Sequence, residues 1–225
     1  MRIPLFIEFS GKRVAIIGGG NVGTLRAKKF LRVGADVTIF SLEFSDELKK
    51  LEEEGKIRLI KRSVEKIGEE LSEFDLVVVA IGDKNFNRKF IELSKKHRFL
   101  LNLANDAEKT EVVVPFEGGK DGIRFAVTTE GKSGVVARIV RDKFQTLLEK
   151  DGTIFTYLSA MEYLKKYMKS REIPINVRMR VYAIASSYKD LIRLSEEGKI
   201  EEAKRLLEKI VEEEVRKGEV RNSGF

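Results

Sequence analysis

A glycine-rich turn between an apolar segment and a helical pattern constrains the fold of this chain more than any other feature. The apolar segment 14–17, Val-Ala-Ile-Ile, leads into Gly18, Gly20 and Gly23, which form the pattern G-x-G-x-x-G. Apolar residues then recur at helical spacing, at Leu25, Ala27, Phe30 and Leu31. This order predicts a strand, a tight glycine turn and a helix.

The spacing of the three glycines is that of a dinucleotide-binding turn. In such a site the first glycine (Gly18) allows the tight turn, the second (Gly20) lets the backbone approach a pyrophosphate, and the third (Gly23) lets the helix pack on the strand. The start of the helix offers N–H groups and the positive end of its dipole, which suit a diphosphate. The pattern alone is a weak signal, and the alternative is a glycine turn in some other doubly wound protein.

Strand and helix patterns alternate through the rest of the first half of the chain. Strands are predicted at 35–40, 57–60, 75–81 and 99–104, and helices at 45–54 and 85–96. Gly34 is the predicted end of the first helix, and Ser45 and Gly55 are the predicted N-cap and stop of the second. The unbroken apolar run after Asp75 is typical of a parallel strand buried on both faces. We therefore predict an α/β fold, a Rossmann-type doubly wound parallel sheet, preceded by an extended lead-in over residues 1–12.

The pattern changes after Asp106. Two β runs, 112–116 and 123–128, are joined by Glu-Gly-Gly-Lys-Asp-Gly, which predicts a β-hairpin. Helices are predicted at 135–150, 153–170, about 176–196 and 199–217, with breaks at Gly152, Pro174 and Gly198. We expect a nucleotide-binding domain at 1–111, a hairpin and helix at 112–150, and an α-helical C-terminal domain at 151–225. The hairpin has little to bury alone, so we expect it to pair across a dimer interface.

Composition excludes several kinds of site. The chain has no cysteine, which excludes disulfides and thiolate metal sites, and its one histidine, His97, makes a structural zinc site improbable. No signal peptide or long apolar segment is evident, so we expect a soluble cytoplasmic protein. The net charge of +7 favours an anionic ligand. Nucleic acid is disfavoured as a partner because the basic residues are interspersed with glutamate.

The segment Gly131-Lys132-Ser133 is similar to the end of a phosphate-binding P-loop. That motif requires a glycine five residues before Gly131, where this chain has Ala126. A phosphotransferase is therefore disfavoured.

Several segments together resemble the precorrin-2 dehydrogenase family, which also forms the amino-terminal part of bifunctional siroheme synthases. The opening matches are Pro4-Leu5-Phe6, the glycine turn with Arg26-Ala27-Lys28, and Gly34-Ala35-Asp36-Val37-Thr38. The later matches are Asn102-Leu103-Ala104-Asn105-Asp106, Pro115, and Val127 to Gly134 running into Ala137-Arg138. The resemblance covers roughly residues 1–150, and the helical remainder only in length and character.

This resemblance implies a homodimer in which NAD⁺ accepts a hydride from precorrin-2, giving sirohydrochlorin; some relatives also insert Fe²⁺. Precorrin-2 is a polycarboxylated tetrapyrrole, which gives the basic excess a reason. Lys132, Ser133 and Arg138 are the candidate substrate-binding residues, since Arg and Lys pair well with carboxylates. The alternative for each charged residue is an ordinary solvated helix face.

The resemblance also places the cofactor contacts at the helix start and after the second strand. Besides the glycines Gly18, Gly20 and Gly23, the candidates are Asn21, Val22, Leu42 and Glu43. An NADP site often has an arginine at the end of the second strand, whereas Phe40-Ser41-Leu42-Glu43 has no basic residue. NAD is therefore the expected cofactor.

The candidate catalytic residues are Asn105 and Asp106. The family places an aspartate at the position that is Asn105 here, and an amide cannot exchange a proton at neutral pH. Either Asp106 replaces that aspartate, or hydride transfer proceeds without it and iron insertion is poor or absent. A third possibility is that Asp106 only caps a turn.

Two other functions are weighed against the dehydrogenase. One is an NAD-sensing module whose helical tail binds a regulatory partner or a nucleic acid, although residues 174–199 show no convincing helix-turn-helix. The other is a ferrochelatase with a vestigial NAD site, which the intact glycine set disfavours.

Overall fold

The structure is a computed structural model that describes residues 2–222 of the chain. Met1 of the predicted lead-in and residues 223–225 of the predicted C-terminal domain lie outside the described residues. Contacts divide the chain into two compact units. The sheet unit comprises residues 2–116 and 127–138, and the helical unit comprises 117–126 and 139–222.

The sheet unit contains five parallel strands in the order β3-β2-β1-β4-β5. The strands are β1 (Arg13–Gly19), β2 (Asp36–Phe44), β3 (Arg58–Lys61), β4 (Leu76–Val79) and β5 (Leu100–Leu103). The helices between them are α1 (Asn21–Arg32), α2 (Asp46–Glu53) and α3 (Asn87–His97), with short 3₁₀ turns at Val64–Lys66, Glu69–Glu73 and Lys84–Phe86. The strand order reverses beside β1, which makes the carboxyl end of β1 the topological switch point. The predicted doubly wound parallel sheet is confirmed.

The central strand is buried on both faces, as its unbroken apolar sequence requires. Val14 and Ile16 pack with Phe30 in one core cluster, while the intervening Ala15 and Ile17 belong to the cluster on the other face. Because side chains alternate across a strand, this short apolar run supports both helical layers.

Local signals place the ends of several elements correctly. The Ser45 hydroxyl accepts a hydrogen bond from the backbone N–H of Leu48 and caps α2, and Gly55 adopts a left-handed φ of +68° after it. The predicted second strand is too short, because β2 continues to Phe44 and therefore includes Leu42 and Glu43.

The predicted hairpin is present, but its first strand was placed too early. The strands are β6 (Phe116–Lys120) and β7 (Ile123–Val127), so the predicted strand at 112–116 is wrong except at its last residue. Val112 instead bonds to β5: its N–H donates to the Leu101 carbonyl, and its carbonyl accepts from the Asn102 side-chain amide. The turn is Asp121-Gly122, both with positive φ, as a tight hairpin turn requires.

The remaining helices are α4 (Gly134–Lys150), α5 (Gly152–Ser170), α6 (Ile175–Ser186), α7 (Lys189–Glu196) and α8 (Ile200–Asn222). The prediction of one helix over 176–196 is wrong, because the chain breaks between α6 and α7. The Tyr157 hydroxyl donates to the Ala185 carbonyl, and the Ser186 hydroxyl donates to the Ala183 carbonyl. These side chains therefore hydrogen-bond carbonyl groups of the last turn of α6, where the helix ends. Among residues 2–222, no helix combines the length and apolarity that a membrane crossing needs.

Candidate functional site

The glycine turn at the carboxyl end of β1 has a geometry that only glycine permits at two of its three positions. Gly18 has φ +116°, and a Cβ there would lie 2.7 Å from the Ala80 carbonyl oxygen. A Cβ on Gly23 would lie 1.9 Å from the Gly18 carbonyl oxygen, which shows how closely α1 approaches the strand. A Cβ on Gly20, by contrast, would have no protein atom within 4 Å. The turn is therefore closed on the protein side and open at the position where a diphosphate approaches the backbone.

The first turn of α1 carries no charge of the chain's own to balance its dipole. Its N-cap is Gly20, no side chain caps it, and no acidic residue lies in the first turn. Asn21 and Val22 are both exposed there. This helix start fits an anionic group supplied by a ligand, and the residues present therefore suit the diphosphate of a dinucleotide.

A cleft of about 180 Å³, here called the adenosine cleft, opens beside the ends of β1 and β2. Its lining includes Gly18, Ser41, Leu42 and Arg62. Leu42 is 57% exposed, whereas Glu43 is exposed but is not among the described lining residues. The structure therefore brings Gly18 and Leu42 together at one cleft and leaves Glu43 outside it.

Arg62 is a residue of this cleft that the sequence did not identify. Its backbone N–H donates to the Ser41 carbonyl, and its guanidinium lies 2.5 Å from the Glu70 carboxylate. Burial opposes ionisation of Glu70, but hydrogen bonds from backbone N–H groups and from Arg62 outweigh it, so the pKa of Glu70 lies below its ordinary value. Arg62 is thus a charged residue at the cleft whose charge the protein itself neutralises.

Asn105 and Asp106, the candidate catalytic residues, follow β5 at the same edge of the sheet. The Asn105 amide nitrogen donates to the Ile81 carbonyl at 2.9 Å, and its oxygen accepts from the Asn87 amide at 3.0 Å. Asp106 accepts from the Lys109 backbone N–H at 3.1 Å and, more weakly, from Asn87 at 3.5 Å. The Lys109 hydrogen bond is the main reason why the pKa of Asp106 lies below its ordinary value.

Asn87 was not predicted as a site residue, yet it joins both candidates. It is buried at the start of α3, and its side-chain oxygen has no hydrogen-bond partner among residues 2–222. No sequence motif marks it, because its approach to Asn105 depends on the packing of α3 beside β5.

A second cleft of about 210 Å³, here called the β5 cleft, lies within the sheet unit. It is lined from α1 by Arg26, from the end of β5 by Asn102, Leu103 and Ala104, and otherwise by Ala107, Thr110, Val113–Phe116, Val127–Thr129, Gly131, Gly134 and Ala137. Two buried polar atoms of this lining, Arg26 Nε and Asn102 Oδ1, have no hydrogen-bond partner in the part of the chain that the structure describes.

The segment that contains the predicted substrate residues reaches the β5 cleft, but the three side chains do not line it. Gly131 has φ +87° and packs so closely that its Cβ would lie 2.2 Å from the Ala107 Cβ. Ser133 accepts from the Val136 backbone N–H and therefore caps α4. Lys132 and Arg138 are exposed. The structure thus brings Gly131 to the cleft while Ser133 stabilises a helix start.

No group of three or more His, Asp or Glu side chains within residues 2–222 is arranged to hold a metal ion. His97 is the last residue of α3, in a last turn that also carries Lys95 and Lys96.

Comparison with known proteins identifies the family to which this sequence is related. A sequence model of the family described as "Putative NAD(P)-binding" matches residues 5–116. The protein of Methanocaldococcus jannaschii named "Putative precorrin-2 dehydrogenase" is 31% identical over 173 residues, which cover 74% of this chain and 81% of that protein. The siroheme synthase of Actinobacillus pleuropneumoniae is 23% identical over 92% of this chain, but the match covers only 42% of that longer protein.

A solved structure, described as "SirC, precorrin-2 dehydrogenase", matches 92% of this chain and all of its own with a TM-score of 0.69. Because the two sequences are 23% identical, this match supports the fold rather than the roles of residues. The fold, the glycine turn and the M. jannaschii relative together identify this chain as a member of the precorrin-2 dehydrogenase family.

Proposed function

We propose that this protein is an NAD-dependent dehydrogenase that converts precorrin-2 into sirohydrochlorin. The observation that carries the proposal is the glycine turn, which is closed at Gly18 and Gly23, open at Gly20, and followed by an uncapped helix start. The name of the M. jannaschii relative supplies the substrate class. When bound, the nicotinamide ring supplies a hydride acceptor.

In this proposal the residues of the switch point bind and orient the cofactor. Gly18, Gly20 and Gly23 form the diphosphate turn, and Asn21 and Val22 present their backbone at the helix start. Leu42 is proposed to contact the adenosine. It lines the adenosine cleft because β2 continues past Phe40. Glu43, the next residue of the same strand, is proposed as a ribose contact from outside the cleft lining.

The choice of NAD rather than NADP rests on Arg62 and Glu70. A 2′-phosphate needs a free cation near the end of the second strand. Arg62 lies in that region, but the Glu70 carboxylate is already paired with it. The adenosine cleft therefore lacks an uncompensated positive charge and favours the ribose without a phosphate.

Loss of a hydride from precorrin-2 is accompanied by loss of a proton. We propose that Asp106 receives this proton and that Asn105 and Asn87 orient it. The carboxylate of Asp106 is ionised at neutral pH, and its lowered pKa makes it a weaker base than an ordinary aspartate, so its position beside the substrate has to supply the catalytic advantage. An Asp106→Ala variant is expected to have a reduced kcat, and retention of the full rate would remove Asp106 from catalysis.

We further propose a homodimer in which segment 112–150 forms the interface, with Lys132, Ser133 and Arg138 near the tetrapyrrole. In support, α4 carries five large apolar side chains that are between 47% and 66% exposed: Val135, Val136, Ile139, Phe144 and Leu147. Such a row is unusual on a monomeric helix. A monomer by light scattering would contradict the dimer.

The proposed activity is tested by anaerobic incubation of the purified chain with precorrin-2, with and without NAD⁺, while the absorbance of sirohydrochlorin is followed. Product that requires NAD⁺ is the expected result, and Fe²⁺ added afterwards measures chelation separately. Bound NAD⁺ without product would instead favour a nucleotide-sensing module.

A further inference from the structure

Arg26 is a half-buried arginine of the sheet unit whose side chain has no hydrogen-bond or ion-pair partner among the described residues. It lies on the second turn of α1, facing the β5 cleft, and its Nε is buried without a hydrogen-bond partner. No hydrogen bond or ion pair of its side chain is found among residues 2–222. Five other arginines of the unit each pair with a carboxylate, namely Arg2, Arg13, Arg58, Arg62 and Arg88.

A partly buried cation without a counter-charge is a less favourable arrangement for the free protein than a solvated or paired one. Burial lowers the pKa of Arg26 from its ordinary value, but a guanidinium remains protonated at neutral pH. The described lining of the β5 cleft contains no Asp or Glu to compensate it. The charge is therefore left for a ligand.

The chemistry of the cleft defines the class of that ligand. A guanidinium presents N–H donors in a planar fork that matches a carboxylate, and such pairs strengthen where water is excluded. Asn102 Oδ1, in the same lining, is an unused acceptor that suits an N–H donor. A tetrapyrrole offers carboxylates on its acidic side chains, one of which the guanidinium can bind. A space of about 210 Å³ holds one acidic arm rather than the macrocycle.

We propose that Arg26 binds one acidic side chain of the tetrapyrrole substrate and thereby sets the position of the macrocycle. This inference rests on the proposed function and adds a residue whose role neither motif nor charge pattern indicated. Because the Arg26 charge is balanced only when the acidic arm is present, substrate binding and charge compensation are the same event.

The test uses Arg26→Gln and Arg26→Lys in the full chain, with Arg58→Gln as a matched control, since Arg58 is exposed on β3 and pairs with Asp36. In Arg26→Gln, we expect KM for precorrin-2 and Kd for sirohydrochlorin to rise about thirtyfold, with Kd for NAD⁺ unchanged. Arg26→Lys keeps the charge but loses the fork, and we expect a rise of about tenfold. Arg58→Gln should match the wild type.

A second readout separates ligand binding from a packing role. If Arg26 serves the substrate, removal of its unpaired charge leaves the thermal midpoint of the free protein unchanged or higher. A lower thermal midpoint with unchanged KM and Kd in Arg26→Gln would overturn the inference. If Arg26→Gln does not fold, an unchanged KM for precorrin-2 in Arg26→Lys would overturn it. If the wild type forms no sirohydrochlorin, the proposed function fails. If the wild type is active and the Arg26 variants bind the substrate as tightly as it does, only the role of Arg26 fails.

Discussion

Arg62 and Arg26 each line a cleft of the sheet unit, but the fold balances only one of the two charges. Arg62 lies 2.5 Å from Glu70, in a pair whose side chains are 42% and 30% exposed. Arg26 has a buried Nε, no such partner among the residues that the structure describes, and no acidic residue in the described lining of its cleft. The adenosine cleft is thus electrically balanced before a ligand arrives, whereas the β5 cleft is not.

The starts of α1 and α2 repeat this contrast. The α2 start has a serine cap and the acidic residues Asp46 and Glu47 in its first turn, while α1 begins at Gly20 with neither. Since a capped and charged helix start already has its N–H groups and dipole satisfied, it has little to offer an anion. In this molecule, uncompensated positive charge therefore marks the places where we expect anionic groups of the ligands.

The largest loss of activity is expected when a carboxylate is introduced into the β5 cleft. Thr128 is exposed and lines this cleft, so Thr128→Glu introduces an acid into a lining that has none. We expect kcat/KM for precorrin-2 to fall by about a hundredfold, because the new carboxylate both competes for Arg26 and repels the acidic substrate. Steady-state kinetics at fixed NAD⁺ measure the effect.

Thr128→Gln separates size from charge in this experiment, since it adds similar bulk without a carboxylate. We expect it to lose far less activity than Thr128→Glu. Equal losses of kcat/KM in the two variants would mean that the cleft does not select its ligand by charge.

The open helix start is tested by Gly20→Ala, set against Gly23→Ala. Alanine at Gly20 meets no protein atom within 4 Å, so the thermal midpoint should fall only by the small cost of alanine at an N-cap, but its methyl group would occupy the space that we propose for the diphosphate. We expect Kd for NAD⁺, measured by calorimetry, to rise by about tenfold or more. Gly23→Ala should instead lower the thermal midpoint, because its Cβ would lie 1.9 Å from the Gly18 carbonyl oxygen. Normal NAD⁺ binding by Gly20→Ala would place the diphosphate elsewhere.

Glu70→Gln makes Arg62 resemble Arg26 by removing its counter-charge. A guanidinium freed at the adenosine cleft is able to bind a 2′-phosphate, so we expect the ratio of kcat/KM for NADP⁺ to that for NAD⁺ to rise by about tenfold. Glu69→Gln is the matched control, because Glu69 is exposed and pairs with Lys96 on α3 rather than with Arg62. An unchanged ratio in Glu70→Gln would show that Arg62 does not face the ribose.

The sequence predicts the scaffold of these sites better than their charges. The glycine turn and the apolar strands depend on local spacing, and the Ser45 cap is a signal within one turn of chain. Arg62 lies next to Ser41 only because β3 pairs with β2, and neither strand's sequence predicts that pairing. Arg26 stands in a recognised motif, but its burial depends on the segments at 110–116 and 127–137, which are distant in the sequence.

Residues 112–115 show why an apolar pattern alone misplaced the hairpin. Their sequence, Val-Val-Val-Pro, has the composition of a strand, and Val114 does pack against the core cluster of the sheet unit. Their polar backbone is satisfied in part by Asn102 and Leu101, and Pro115 has no N–H to donate to a ladder. The first strand of the β-hairpin begins directly after this proline, at Phe116.

Replacing Asp106 is expected to have a small effect on thermal stability. Its carboxylate already accepts a hydrogen bond within the protein, just as the charge of Arg62 is already paired. Its pKa in the folded chain is lowered below the ordinary value of 3.8, first by the Lys109 N–H. A lowered pKa means that the carboxylate stabilises the fold at pH values above 3.8 and that this contribution is lost as the pH falls through the folded pKa. Asp106→Asn should therefore lower the thermal midpoint at neutral pH by about 1–2 °C, since the group is near the surface. The difference from the wild type should disappear in acid, and a difference that persists there would assign it to packing rather than to charge.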